Sequence, residues 1–297
     1  MKKHAYLIMV HNEFDMLTRL IKELDDPRND IYLHIDKKTK NVNVNALRDS
    51  VNYSRLFIIP RSNIYWGTIS QVKCELRLMQ AASRGKYSYY HLLSGTDFPL
   101  KSQDYIHDYL NNNDGEYISC KSNDEVNEDF LYKIRFYYPF LRFVGKGVFE
   151  GNNLKDRLGR KLGYWQLRLC EIQQKYHVDR TKKYKDIVFY KGDNWFTITH
   201  DLVEFVLDNK KKIRKLFFIT NGPDEFFIQT LAMNSSFADR VRYDSLRKID
   251  WERGTPYEYT LEDFNILEAS DAFFARKISY KNSPELVEAL SNRLRGL

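Results

Sequence analysis

The sequence predicts an α/β protein built on a mostly parallel, twisted sheet with helices on both faces. Two observations carry this. Short apolar runs alternate with helical periodicities through the N-terminal third, which is the order of a parallel sheet with crossover helices. Three of these runs also lead into a polar residue, as strands do where a ligand edge begins.

The elements read off in order. Tyr6 to Val10 is a buried strand, followed by a helix capped by Asn12 with Phe14, Leu17, Leu20, Ile21 and Leu24 on its apolar face. Ile31 to Ile35 and Leu56 to Ile59 are the second and third strands. Thr68 to Ser83 is a helix with Ile69, Val72, Leu76 and Met79 inward. Tyr87 to Leu93 is the fourth strand and runs into Ser94-Gly95-Thr96-Asp97. His11, Asp36 and Asp97 follow three of these strands. Each by itself reads as a turn or cap residue, and together they point to a site. Residues 1–110 are expected to form a Rossmann-like nucleotide-binding half and 111–297 an acceptor and catalytic half of one domain.

The chain has 297 residues, enough for a sizeable core, with 29% charged and 43% hydrophobic residues. Its three cysteines, Cys74, Cys120 and Cys170, are far apart, so neither a disulfide framework nor a cysteine zinc site is expected and a reducing compartment fits. The first apolar run, Ala5 to Val10, is too short for an anchor. A cytoplasmic location, at most peripheral on the inner face of the membrane, is the expectation.

The net charge is +7, and the stretch from Lys133 to Arg168 carries nine Lys or Arg against Glu150 and Asp156. No nucleic-acid reading module accompanies it, so nucleic acid is not an expected partner. A helix here repeats Leu158, Leu162, Trp165, Leu169 and Ile172 at helical spacing. The stripe is expected to pack on the core. The alternative is that this basic, aromatic segment, Lys146 included, docks on an anionic membrane.

The last third holds Gly192-Asp193-Asn194-Trp195, a helix starting near Asp201, and Gly222-Pro223-Asp224-Glu225 opening another helix. Glu225 in a first helical turn would be favoured in its ionised form. That suits a general base, and equally an ordinary helix-stabilising acid. Arg276 and Lys277 follow Phe273 and Phe274. A basic pair on a buried segment can neutralise a diphosphate, although most such pairs are simply solvated. There is no Asp-x-Asp triplet. Asp114-Gly115-Glu116 and Asp250-Trp251-Glu252 come nearest, so no metal or other cofactor is expected.

Seven segments in order resemble one family: Tyr6 to Asn12, His34-Ile35-Asp36-Lys37-Lys38, Tyr65-Trp66-Gly67, Leu93 to Leu100, Asp193 to Phe196, Pro223-Asp224-Glu225-Phe226-Phe227 and Phe274-Ala275-Arg276-Lys277. The chain is similar to the core-2/I-branching enzymes and peptide O-xylosyltransferases of glycosyltransferase family 14, from about residue 4 to 280. The resemblance implies a GT-A-type fold and inverting, metal-independent transfer of GlcNAc or xylose from a UDP-sugar. It implies a glycan acceptor, such as a cell-surface polysaccharide or lipid-linked oligosaccharide. Glu225 would be the base. Val10, His11, Asp36, Lys37, Trp66, Arg242, Arg276 and Lys277 would bind the donor, and Asp97, Asn194 and Trp195 would contact sugar or acceptor. Ala-Arg-Lys at 275–277 leans toward the xylosyltransferases. The competing reading is a non-catalytic UDP-sugar or glycan-binding protein on the same fold.

Overall fold

A computed structural model describes residues 2–121, 128–144 and 151–296. The strands of its main sheet are β1 (His4–Val10), β2 (Asn29–Ile35), β3 (Arg55–Ile58), β4 (Tyr89–Ser94), β6 (Tyr117–Ile118) and β7 (Phe196–Thr199). They lie in the order β3-β2-β1-β4-β7-β6. The first four run parallel, as expected. β7 and β6 extend the sheet antiparallel, so the two expected halves share one sheet.

Alternation along the strands feeds two cores. Tyr6, Ile8 and Val10 of β1 and Ile31, Leu33 and Ile35 of β2 pack under helices α1 (Phe14–Leu24) and α4 (Gln103–Asn112). Ala5 and Leu7 point the other way, against α3 (Ile69–Ala82), α7 (His200–Asp208), α8 (Lys210–Phe217) and α9 (Phe227–Met233). Helices thus cover both faces. Short α2 (Val44–Arg48) links β2 to β3, and α5 (Glu128–Arg135) and α6 (Leu154–Lys175) fill the middle of the chain.

A second sheet, without a counterpart in the sequence pattern, is built from β5 (Phe98–Pro99), β8 (Arg247–Ile249) and β9 (Phe274–Arg276), in the order β5-β9-β8. It packs with α10 (Phe264–Glu268) and α11 (Pro284–Leu294) in a third core.

Within α3, Val72 and Met79 are buried, Ile69 and Leu76 pack half-buried against the same core, and Glu75 is wholly buried. Two local expectations need correction. The α1 N-cap is Glu13, in a left-handed conformation, and Asn12 precedes it. In α6 the buried residues are Gly159, Gly163, Gln166 and Gln173; Leu162 and Leu169 are half-buried, and Leu158, Trp165 and Ile172 face solvent. Small and polar residues make the close contacts of this helix, so most of its large apolar row stays outside. Lys146 lies outside the described residues.

Candidate active site

The parallel strands bring the first site residues together. The hydrogen-bond ladder continues past their ends: the Asp36 N–H donates to the Val10 carbonyl at 2.9 Å and the Gly95 N–H to the Met9 carbonyl at 3.1 Å. His11, Asp36 and Gly95 therefore emerge side by side at the carboxyl edge. A cleft of about 300 Å³ opens there, and Val10, His11, Trp66, Thr96, Arg276 and Lys277 are among its lining residues. Trp66 stands at its rim with 82% of its surface exposed.

Asp36 braces this edge from behind. Its Oδ1 accepts from the Lys38 N–H at 2.8 Å, and its Oδ2 meets the Lys38 ammonium at 3.4 Å. Its backbone carbonyl accepts from Arg61 at 2.8 Å. The loop leading to Trp66 is thereby tied to β2. Lys38, not Lys37, is the lysine paired with Asp36; Lys37 is exposed.

The second sheet delivers the basic pair. Pairing of Phe98 with Ala275 sets Arg276 beside the Ser94–Asp97 turn across 179 residues of sequence. Arg276 Nη1 donates to Asp97 Oδ1 at 2.9 Å, to Thr96 Oγ1 at 3.2 Å and to Ser94 Oγ. Its guanidinium lies 4.6 Å from the centre of the Trp195 ring. Lys277 is held by Glu258 at 3.1 Å. Asp97, expected to contact sugar or acceptor, is completely buried. Its Oδ2 accepts from the Ser94 N–H and its Oδ1 from the Ser94 hydroxyl and Arg276. With no exposed surface it aims Arg276 instead.

Arg242 does not join this group. Its guanidinium donates to the Asp114 carbonyl, beside Tyr89 at the opposite end of β4. Arg247, which carries no local signal in sequence, lies half-buried beside β4 and β7. It donates to the Leu92 and Phe196 carbonyls at 3.2 Å, and burial of its guanidinium lowers its pKa to about 10.

Glu225 lies in a single 3₁₀ turn, Pro223–Glu225, ahead of α9 rather than in its first turn. Gly222 enters the turn at φ 64°, which favours glycine, and its N–H donates to the Gly67 carbonyl at 2.8 Å. The charges facing Glu225 come from elsewhere. Lys133 of α5 reaches its Oε2 at 2.8 Å and Lys191 reaches the same oxygen at 3.4 Å. Neither lysine shows a local signal in sequence. Below Glu225, buried Asp224 accepts from Gln71 at 2.8 Å through Oδ2. Burial and then the charge of Glu225 push Asp224 up to about 7. Deeper still, burial raises the Glu75 carboxyl well above the usual carboxylate range.

One strap connects Glu225 to Arg276. The Gly192 N–H donates to the Glu225 carbonyl at 2.9 Å, and three residues later Trp195 lies under Arg276. Three steps of extended chain span at most about 11 Å. Asn194 sits half-buried on this strap. Among the described residues, no three His, Cys, Asp or Glu side chains gather as a metal site would need, and no helix is long and apolar enough to cross a membrane.

A family described as Core-2/I-Branching enzyme matches residues 4–273. Xylosyltransferase 2 of Canis lupus familiaris is 24% identical over 98% of this chain and 34% of its own length. The human N-acetyllactosaminide beta-1,6-N-acetylglucosaminyl-transferase is 23% identical over 98% of this chain and 72% of its own. The chain thus spans about a third of the length of the xylosyltransferases it matches. Mouse xyloside xylosyltransferase 1, in its apo form, superposes with a TM-score of 0.39 at 9% identity, covering 92% of this chain and 97% of that one. With the family match running through the β1 edge of the cleft, the Ser94–Asp97 turn and Glu225, and ending before Arg276, the chain belongs to the Core-2/I-Branching enzyme family of glycosyltransferases.

Proposed function

We propose that the chain transfers GlcNAc or xylose from a UDP-sugar to a hydroxyl of a glycan, with inversion and without a metal, on a GT-A-type scaffold. The observation that carries this is the strap from Gly192 to Trp195, which ties the Glu225 backbone to the Arg276 guanidinium. In this reading Glu225 acts as the base and Arg276 with Lys277 as the cationic patch, on two sides of one reacting carbon. The uridine end lies against Val10, His11 and the Asp36 edge, with Trp66 over it.

In the reaction the acceptor oxygen forms a bond to the anomeric carbon as the bond from that carbon to the diphosphate oxygen breaks. The hydroxyl proton passes to Glu225, and the electron pair leaves on UDP. Arg276 and Lys277 offset the charge that grows there. Lys133 and Lys191 hold the carboxylate in place through Oε2.

Glu225→Gln tests the assignment against the binding-protein alternative. Turnover of UDP-GlcNAc or UDP-xylose should fall about a hundredfold or more while UDP binding persists. Near-normal turnover removes Glu225 from the role. Loss of activity on chelation, restored by manganese, removes the metal-free step. UDP binding by the unmodified protein, without donor hydrolysis or transfer to any hydroxyl, favours the non-catalytic reading.

A further inference from the structure

An amphipathic helix ordinarily buries its apolar row. Helix α6 does the reverse. It docks through small and polar residues: Gly163 lies against Phe143, where an added Cβ would come within 2.6 Å of the Phe143 carbonyl oxygen. Gln166 Oε1 accepts from the Phe140 N–H at 2.9 Å, and Gln173 Oε1 accepts from the Tyr137 N–H at 2.7 Å. Its apolar row is left outside. Leu154, Leu158, Trp165 and Ile172 are 82%, 55%, 51% and 50% exposed.

A second row accompanies the first at a constant offset. Arg157, Lys161, Arg168 and Lys175 each follow one of those apolar residues by three positions, and all four are exposed. Three residues on a helix turn back by about 60°, so a cationic stripe runs alongside the apolar stripe for the length of the helix. Of the two acids in the helix, Asp156 lies on the opposite side, and Glu171 lies beyond the cationic row, where it pairs with Arg168. A second copy of the chain would have to lay its own cationic stripe against this one, which like charges oppose.

We propose that α6 is an interfacial helix that seats the protein on an anionic lipid bilayer. Leu154, Leu158, Trp165 and Ile172 enter the boundary between headgroups and acyl chains, and the four basic side chains meet lipid phosphates at its surface. The polar clamp at Tyr137 and Phe140 holds the helix to the protein while this face is turned outward. This role is separate from the chemistry at Glu225.

The test is flotation of the whole protein with vesicles of phosphatidylcholine alone or of phosphatidylcholine and phosphatidylglycerol in equal parts. The protein should float with the anionic vesicles, less so as salt rises, and remain behind with the neutral ones. A variant carrying Leu158→Ser, Trp165→Ser and Ile172→Ser should lose roughly a hundredfold in partitioning. A variant with the four basic residues changed to Gln should lose a comparable factor at low salt. Since all these positions are exposed, unchanged thermal unfolding will show that both variants fold. No binding to anionic vesicles, equal binding to neutral ones, or undiminished binding of the serine variant overturns the proposal. So does sedimentation showing a dimer that the serine variant dissolves.

Discussion

Replacing Asp224 with asparagine should change the pH dependence of stability by a magnitude the structure supplies. Asp224 is buried between Glu225 and fully buried Glu75, and its Oδ1 has no hydrogen-bond partner among the described residues. Its pKa is pushed from 3.8 up to about 7. The folded chain therefore keeps a proton that the unfolded chain releases above about pH 4. A raised carboxyl pKa adds stability at low pH, and that contribution drains away as pH climbs toward 7. Each pH unit well inside the window is worth about 1.4 kcal/mol, and less near pH 7 where the folded-state group is half ionised, so between pH 5 and 7 wild type should lose about 2 kcal/mol through this group. The Asp224→Asn variant is neutral at this position throughout and loses nothing there. His34 and His107, both lowered to about 4 by burial, act in the opposite sense over the same range, so wild type alone would mask the effect. They cancel in the difference between the two proteins. Urea unfolding of both proteins at pH 5, 6 and 7 should show that difference moving in favour of the Asp224→Asn variant by about 2 kcal/mol. A constant offset from the altered contact with Gln71 does not affect this slope. A difference that stays flat or moves the other way refutes a protonated Asp224 beneath Glu225.

Further outcomes follow from the positions of single side chains. Asp97→Asn removes the charge that aims Arg276 and should lower kcat/KM about ten- to a hundredfold with the fold retained; unchanged kinetics with UDP-GlcNAc and UDP-xylose would count against that positioning role. Arg242→Gln should alter neither kcat nor KM for the donor by more than about twofold, since that side chain caps Asp114 at the far end of β4. A tenfold rise in KM would place it back at the donor.

The parallel half of the sheet is legible in the sequence, because strand and helix periodicities are local and the two cores follow from alternation along β1 and β2. The sequence also marked His11, Asp36 and Glu225, which sit at element ends where polar residues stand out. Contacts whose partners are remote in the chain emerge only once it folds. β5 and β9 are strands of two and three residues, too short to show a period, and they exist because they pair with one another. That pairing turns Asp97 into the buried partner of Arg276. Lys133 and Lys191 meet Glu225 from separate segments, and Arg247, not Arg242, bridges the Leu92 and Phe196 carbonyls of β4 and β7. The outward row of α6 is the sharpest case. Its spacing reads identically whether it faces a core or solvent, and the choice rests on Gly163, Gln166 and Gln173, which bring the helix's other side against the backbone of residues 137–143.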